Sequence, residues 1–211
     1  MSQVTLDRSG RKRGAVTEAA TSLFLSKGYD GTTMDEVAAL AGVSKPTLYR
    51  YFADKEQLYA AIVAATIDDI DALLRLVADA LSASDDPREG LGLLAGKFLT
   101  ALTQPDLLRL RRLVIANAER FPEVGRDWFA RGFGRVLQTL AGAFQRYVAN
   151  GRLRMDDPLL AADHFAGLVL WIPLNRAMFS GNCETDPAEL ARYAEAAVDA
   201  FLRGYGTEAA R

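Results

Sequence analysis

The sequence predicts an all-α fold, and three observations support this prediction. Apolar residues recur at helical spacing along most of the 211 residues. No convincing run of alternating β-branched residues, which would indicate a strand, occurs between them. Proline stands at the start of five apolar-periodic segments, where its missing N–H leaves no helical hydrogen bond unmade. These prolines are Pro87, Pro105, Pro122, Pro158 and Pro187.

These signals delimit about nine helices, the first three of them in a compact N-terminal group. Gly28, Gly42, Gly151 and Gly204 fall where helices are expected to end, since a residue in the left-handed conformation is common there. Pro173 lies inside an apolar segment and is expected to kink its helix. The predicted helices cover residues 9–27, 34–41, 45–52, 55–82, 87–103, 105–120, 122–150, 158–179 and 187–203.

Composition excludes several classes of protein. One cysteine, Cys183, and one histidine, His164, cannot form an intramolecular disulfide and do not suffice for a Cys/His zinc site. No Walker motif, dinucleotide-binding glycine motif or EF-hand spacing occurs. The longest apolar stretch, residues 165–174, is half of the roughly 20 residues that a membrane span requires. We therefore expect a cytoplasmic protein with no metal, no cofactor, no membrane association and no enzymatic activity.

Residues 32–56 carry the most informative pattern, TTMDEVAALAGVSKPTLYRYFADKE. Thr33 and Glu36 have the spacing of a capping box at a helix start. Gly42 follows that helix, where a residue with positive φ lets the chain reverse. Two short helices joined by a glycine-containing turn form a helix-turn-helix. The residues that its first helix is expected to bury are Val37, Leu40 and Ala41.

The second helix of this motif has an apolar side and a polar side. Ser44 is expected to cap it, Pro46 stands in its first turn, and Leu48 and Phe52 point inward. A recognition helix places its first turn at base edges in the major groove of DNA, while neighbouring groups hold phosphates. The candidate DNA-contacting residues are Thr33, Ser44, Lys45, Pro46, Thr47, Tyr49, Arg50, Tyr51 and Lys55. The basic residues at 8–13 form either a disordered tail or an arm that adds phosphate or minor-groove contacts.

The stretch from Phe24 to Leu58 resembles the DNA-binding domain of TetR-family transcriptional regulators, with the pattern FxxxGYxxTTMxxVAxxAGVSKPTLYxYFxxKExL. This resemblance implies an N-terminal domain of three helices, a long fourth helix as connector and a helical C-terminal domain that binds a ligand. It also implies a homodimer formed largely by the last two helices. Two later stretches, 110–129 and 150–165, resemble the AefR-type C-terminal domain of the same family.

The resemblance also implies roles for individual residues. Those that match phosphate-contacting positions of the family are Lys45, Tyr49, Tyr51 and Lys55. Those that match the base-facing turn are Ser44, Pro46 and Thr47. Tyr51 departs from many family members, which have histidine there, but a phenol hydroxyl can also donate to a phosphate.

The C-terminal part offers candidate residues for an effector pocket. Its aromatic residues are spaced as helix cores, and core packing is their default interpretation, although ligand pockets are mostly apolar with few polar groups. Asn117 and Arg176 are polar residues with apolar neighbours, and they are candidate anchors for a ligand. His164 is more simply read as an interior or interface histidine. The full set of candidates is Phe98, Asn117, Trp128, Phe129, His164, Trp171 and Arg176.

The last two predicted helices carry more apolar surface than a peripheral hairpin needs. Small alanines allow two helices to approach closely, so a four-helix interface between two copies of the chain is the natural use of this surface. The residues of this predicted interface are Phe165, Leu168, Val169, Ile172, Leu190, Ala194, Ala197, Val198 and Phe201.

These observations favour a transcriptional regulator with a DNA-binding domain over residues 1–56 and a ligand-binding and dimerisation domain over residues 57–211. We predict a repressor that binds a palindromic operator as a dimer and is released by a small apolar or amphipathic effector. An activator or a co-repressor-dependent regulator is an alternative. Two further alternatives are an enzyme that uses the C-terminal cavity, with His164 or a carboxylate as base, and a protein-binding module that no longer engages DNA.

Overall fold

The computed structural model describes residues 8–68, 70–82, 84–180 and 186–208, so Cys183 lies outside the described residues. A π-helical segment, Trp128–Gly134, joins the helix that ends at Asp127 to the helix that begins at Arg135. The helices are α1 (Arg8–Lys27), α2 (Met34–Leu40), α3 (Lys45–Tyr51), α4 (Lys55–Asp68), α5 (Ile70–Ser82), α6 (Pro87–Leu102), α7 (Pro105–Ala116), α8 (Pro122–Asp127), α9 (Arg135–Ala149), α10 (Pro158–Ser180) and α11 (Pro187–Tyr205). The extended pairing within these ranges is an isolated bridge between Leu153 and Gly206, and the all-α prediction is confirmed.

The five predicted proline starts are confirmed, since α6, α7, α8, α10 and α11 each begin at the expected proline. Asp86 and Asp186 are the N-caps of α6 and α11. Their carboxylates accept hydrogen bonds from the backbone N–H groups of Arg88 and Ala188. Each cap therefore satisfies one of the backbone donors that a helix start leaves without an intrahelical partner.

Some predicted segments differ from the observed helices. The single helix expected over 55–82 is described as α4 and α5 on either side of position 69, which lies outside the described residues. The helix expected over 122–150 contains the π-helical segment, whose hydrogen bonds reach one residue further than those of an α-helix. Gly204 does not end a helix, because α11 continues to Tyr205. Pro173 is buried inside α10, and its expected kink stays a prediction.

The described residues form two compact units. The N-terminal unit comprises residues 8–68 and 109–128, and the C-terminal unit comprises the described residues of 70–108 and 129–208. The domain boundary expected after residue 56 stays a prediction. The N-terminal unit includes a segment from much later in the chain, and no local sequence signal indicates this.

The N-terminal unit packs α1 against α2 and α4, α2 against α3, and α4 against α8. Its core is closed by apolar side chains of α1, α2, α3 and α4 and by Phe121 at the N-cap of α8. The largest of its fully buried side chains are Phe24, Leu48, Leu58 and Tyr59. This packing holds α2 and α3 in place. Each of these helices has only seven residues, and a helix of that length is not stable without such tertiary contacts.

In the C-terminal unit, α10 packs on α6, α9 and α11, while α5 packs on α6 and α9. Phe144, Phe165 and Phe201 meet in its core, with ring centroids between 5.2 and 6.2 Å apart. These aromatic contacts join α9, α10 and α11 into one apolar layer. Burial of these apolar side chains away from water is the main source of stability for the fold of this unit.

The predicted dimer interface is wrong for most of its residues. Six of the nine are buried in the core of the C-terminal unit, because α10 and α11 turn these side chains toward each other and toward α6 and α9. These six residues are Phe165, Val169, Ala194, Ala197, Val198 and Phe201. Leu168 and Ile172 are exposed at 38% and 44%, and Leu190 is half-buried. The exposed apolar face of α10 consists of Leu160, Leu168, Trp171, Ile172 and Phe179.

Among the helices that the structure describes, none combines the length and the apolar character needed to cross a membrane. The same residues contain no group of three or more His, Cys, Asp or Glu side chains that could hold a metal ion.

Candidate nucleic-acid interface

The helix-turn-helix predicted from the sequence is formed by α2 and α3. The capping box at the start of α2 is confirmed: the Glu36 N–H donates to Thr33 Oγ1 at 3.2 Å, and the Thr33 N–H donates to Glu36 Oε2 at 2.9 Å. Gly42 has φ of +65°, as the turn between the two helices requires. The capping box thus fixes the start of α2, and the left-handed conformation of Gly42 fixes the turn from α2 into α3.

The second helix, α3, is anchored by Leu48 and Phe52, which are 0% and 2% exposed as predicted. On α2 the buried residues are Val37 and Ala38, whereas Leu40 is 57% exposed, so its predicted burial is wrong. Successive helical residues are about 100° apart, and a buried face centred between positions 37 and 38 turns Leu40 roughly 110° away from it.

Seven of the nine candidate DNA-contacting residues lie on α3 or at its N-cap, and none of these seven is buried, so together they form the accessible face of this helix. Ser44 occupies the N-cap position, but its hydroxyl is hydrogen-bonded to the Thr47 hydroxyl at 2.8 Å and makes no bond to the backbone of α3. Thr47 and Tyr51 are half-buried. The exposed residues of this face are Ser44, Lys45, Pro46, Tyr49 and Arg50.

Lys45 forms an ion pair with Asp35 of α2, with Nζ and Oδ2 2.6 Å apart. Both side chains are 61% exposed. An exposed ion pair contributes only about 0–1 kcal/mol, because water and salt screen it. The Lys45 ammonium can therefore exchange Asp35 for a phosphate at little cost.

Tyr51 connects the end of α3 to the start of α1. Its hydroxyl donates to the Ser9 carbonyl at 3.3 Å and accepts from Arg50 at 3.3 Å, and it lies 3.0 Å from the Ser9 hydroxyl. The hydrogen bonds from Ser9 and Arg50 lower the pKa of the Tyr51 phenol. The chain is helical from Arg8 onward, so the basic residues at 11–13 belong to α1 and not to an irregular tail.

The two candidate residues outside α3, Lys55 and Thr33, also make hydrogen bonds within the protein. Lys55 donates to the backbone carbonyls of Tyr29 and Thr32 at 2.9 and 3.0 Å, and its ammonium lies 4.3 Å from the Tyr29 ring centroid. Thr33 donates both its N–H and its O–H to Glu36. Lys55 and Thr33 thus hold the loop before α2, and their contacts to DNA stay a prediction.

Glu36 collects several donors at this corner. The Lys27 ammonium, 2.7 Å from Glu36 Oε1, is the largest cause that lowers the pKa of Glu36 to about 2, and the Thr33 N–H and O–H add to it. The ionised carboxylate thus joins the end of α1 to the start of α2.

An aromatic cluster beneath this loop was not identified from the sequence. Tyr29 stacks on Phe24 at 5.7 Å and meets Phe121 edge-on at 5.0 Å. The Arg120 guanidinium lies 4.7 Å from the Tyr29 ring centroid and forms an ion pair with Asp30 at 2.8 Å. Phe24 and Tyr29 belong to the motif from Phe24 to Leu58, so the sequence pattern includes them. Arg120 and Phe121 come from a distant part of the chain, and no sequence pattern indicated that they join this cluster.

The structure separates the candidate effector residues of the C-terminal unit. Phe98 is buried in the core, whereas Phe129 and Trp171 are 64% and 67% exposed. His164 is exposed and hydrogen-bonded to the Tyr205 hydroxyl at 2.5 Å, and Arg176 pairs with Glu189 at 2.5 Å. The predicted role of these five residues in an effector pocket stays a prediction. The other two candidates, Asn117 and Trp128, belong to the N-terminal unit.

Family comparisons assign both parts of the chain. Residues 16–62 match the tetR family of bacterial regulatory proteins. Residues 89–207 match the C-terminal domain of AefR-like transcriptional repressors. Among curated relatives, the HTH-type transcriptional activator FasR from Mycolicibacterium smegmatis is 40% identical over 80 residues, which are 38% of this chain and 35% of FasR. The chain thus aligns with about a third of the length of FasR.

Two solved structures are similar over nearly the whole chain. A TetR-family transcriptional regulator from Mesorhizobium loti MAFF303099 is 44% identical, with 96% of this chain and 100% of that chain covered and a TM-score of 0.88. The flavonoid-responsive regulator FrrA is 31% identical, with 94% and 99% covered and a TM-score of 0.75. The motif, the fold and these matches agree, and the chain belongs to the TetR family of transcriptional regulators, with a C-terminal domain of the AefR-like type.

Proposed function

We propose that the protein is a ligand-responsive repressor that binds a palindromic operator as a homodimer. The observation that carries this proposal is the exposed polar and aromatic face of α3, held on the buried anchors Leu48 and Phe52. Such a helix can enter the major groove of DNA with its fold unchanged. Operator binding also implies action in the cytoplasm, where the chromosome lies.

The residues of this face divide by chemistry. Lys45, Tyr49, Arg50 and Tyr51 carry ammonium, guanidinium or phenol donors and are proposed to hold phosphates, which fix register but carry no sequence information. The remaining candidates at the start of α3, two exposed and one half-buried, are small enough for close approach to base edges. These proposed base-facing residues are Ser44, Pro46 and Thr47.

We propose that the dimer forms through α10 and α11. The exposed apolar face of α10 recurs along the helix and includes Trp171 and Phe179, which are 67% and 86% exposed. An exposed stripe of this kind indicates an interface. On α11 the exposed residues Ala191 and Ala196 are small and permit close helix approach. A two-fold dimer would place its α3 helices in half-sites about 34–36 Å apart, which is one turn of DNA.

The effector is proposed to bind the C-terminal unit and to weaken operator binding. It can do so only through a difference in its affinity for the two states, typically about 1–3 kcal/mol. The likeness to FrrA, which is flavonoid-responsive, supports a small apolar or amphipathic effector.

Repression is supported by the AefR-like repressor match, and the activator FasR supports activation as the second candidate. A reporter gene placed behind the operator distinguishes the two, since deletion of a repressor raises its expression.

Capture of genomic DNA tests the DNA-binding proposal. Purified protein is mixed with sheared DNA of its source organism, and the retained fragments are sequenced. We expect a few fragments to be strongly enriched, and enrichment to disappear in the double variant Thr47→Glu, Tyr49→Glu. The matched control, Gln138→Glu with Gln145→Glu, adds the same two charges to exposed positions of α9 and should retain the wild-type fragments. Equal retention by all three proteins would contradict the proposal.

A further inference from the structure

The N-terminal unit contains a cavity that the proposed operator contacts do not use. It has a volume of about 590 Å³ and opens to solvent between the end of α1, the α1–α2 loop and α7. This volume lies in the range of about 300–1,000 Å³ that is typical of small-molecule sites. The cavity therefore has room for a small organic ligand.

One helix face supplies a whole wall of this cavity. Arg109, Arg112, Leu113 and Ala116 of α7 follow the spacing i, i+3, i+4, i+7 and line it together. Leu113 is 7% exposed and forms part of the apolar floor, whereas Arg109 and Ala116 are exposed near the rim. The wall is thus apolar at depth and cationic toward solvent.

The opposite wall has the same character. Phe24 and Tyr29, which are 1% and 5% exposed, close the floor, and Lys27 stands at the edge. The lining holds the three cations Lys27, Arg109 and Arg112 and one carboxylate, Asp30. Lys27 forms an ion pair with Glu36 and Asp30 forms one with Arg120, so the lining and these two partners together carry two more positive than negative charges. The charge balance of the lining therefore favours an anionic ligand.

We propose that this cavity binds a small carboxylate with a compact apolar body. The apolar floor would contact the apolar part of the ligand. Arg109 and Arg112 of α7 would bind its carboxylate, since planar guanidinium groups match carboxylate geometry. This site is separate from the effector site proposed in the C-terminal unit. Its binding does not depend on the proposed function.

A ligand here would contact the loop that carries α2. The same loop supplies the carbonyls of Tyr29 and Thr32 that accept from Lys55. Occupation of the cavity would thus bear on the hydrogen bonds that position the helix-turn-helix. This regulatory consequence rests on the proposed function. If the ligand changes the affinity of the protein for the operator by some factor, the operator must change the affinity of the protein for the ligand by the same factor.

Calorimetric titration of the full-length protein, without DNA, tests the site. The probe is 2-naphthoate, and neutral 2-naphthamide has nearly the same shape without the charge. We expect 2-naphthoate to bind roughly tenfold or more tightly than 2-naphthamide, because arginine recognition requires the charge. Equal affinities of the two probes, or no binding of either, would overturn the proposal.

Two pairs of variants locate the bound probe. Arg109→Gln removes a rim charge, and Ala116→Phe fills the cavity from an exposed position, so each should weaken 2-naphthoate binding by roughly tenfold. The controls Arg126→Gln and Ala149→Phe make the same changes at exposed positions outside the lining and should bind as the wild type does. Binding that is unchanged in Arg109→Gln and in Ala116→Phe would place the probe elsewhere and overturn the site. Because no DNA is present, this result does not depend on operator binding.

Discussion

Lys45 is held in the free protein by an exposed ion pair with Asp35. We predict that Lys45→Ala weakens binding to all duplexes by a similar factor and lowers the slope of log affinity against log salt by about one, because one phosphate contact is lost. Anisotropy titrations at several salt concentrations measure both effects. Asp35→Ala is the matched variant, and it should tighten binding because it removes a competing carboxylate. An unchanged slope in Lys45→Ala would contradict the phosphate contact.

Glu36 makes the N-terminal unit sensitive to acid. Its pKa is lowered from 4.5 to about 2 by Lys27 and Thr33, so the folded state prefers the ionised form. The resulting stabilisation is fully present above pH 4.5 and is lost as the pH falls through about 2.

We therefore predict that Glu36→Gln lowers the Tm at about pH 7, and that its difference from the wild type shrinks between pH 4.5 and about 2. Thermal melts followed by circular dichroism measure this difference. Glu123→Gln is the control, since Glu123 forms only an exposed pair with Arg126 on α8, and it should change the Tm little at either end. A Glu36→Gln difference that is independent of pH would contradict the assignment.

Tyr147 closes the C-terminal end of α5. Its hydroxyl donates toward the carbonyls of Leu81 and Ser84, both at 3.2 Å, where the end of the helix leaves carbonyls without intrahelical partners. Gly90 of α6 lies against the same hydroxyl, because a Cβ at this position would stand 2.6 Å from the Tyr147 oxygen. The absence of a side chain at Gly90 thus allows the tyrosine to reach α5.

This arrangement predicts strong non-additivity. Tyr147→Phe should cost about 1–3 kcal/mol, since buried carbonyls lose their donor. Gly90→Ala should destabilise the wild type but cost less, or even stabilise by up to about 1 kcal/mol, in the Tyr147→Phe background. Gly96→Ala is the control on the same helix, because its Cβ meets nothing within 4 Å. Denaturant unfolding of the four proteins measures the coupling, and additive costs would contradict it.

The helices follow from local chemistry to a large extent. Proline at a first turn, the Thr33–Glu36 capping box and the glycine of the turn are each decided by neighbouring residues, and the structure confirms them. The π-helical segment Trp128–Gly134 was not predicted, because apolar periodicity does not record a change in hydrogen-bond register. Leu40 was misassigned because the buried side of a seven-residue helix depends on what packs against it.

The exposed apolar face of α10 is the basis of the proposed dimer. We predict that Trp171→Glu raises the dimer dissociation constant by a factor that corresponds to about 2 kcal/mol or more, as for an aromatic anchor at the centre of an interface. Light scattering after size-exclusion chromatography measures the mass at several concentrations. Leu93→Glu is the control, since Leu93 is 44% exposed on α6 and lies outside this face. Equal dissociation by both variants, or by neither, would contradict the interface.

The features that the sequence did not indicate depend on packing between residues that lie far apart along the chain. The residues of α3 were predicted as a face because a single short motif contains them all. The placement of residues 109–128 in the N-terminal unit, with Arg120 and Phe121 against Tyr29, depends on contacts between distant parts of the chain. The same reason explains the dimer prediction: apolar residues of α10 and α11 look alike in sequence whether they face their own core or a second copy.

Selection from a pool of random duplexes at physiological salt tests the central claim most directly. We predict that the wild type enriches an inverted repeat whose half-sites are centred about 34–36 Å apart along the DNA, as expected for a two-fold dimer with α3 in the major groove. Thr47→Ala should enrich the same repeat with altered preference at one position in each half-site, because the proposed base contact is lost. Failure of the folded wild-type dimer to enrich any sequence would contradict operator recognition by α3.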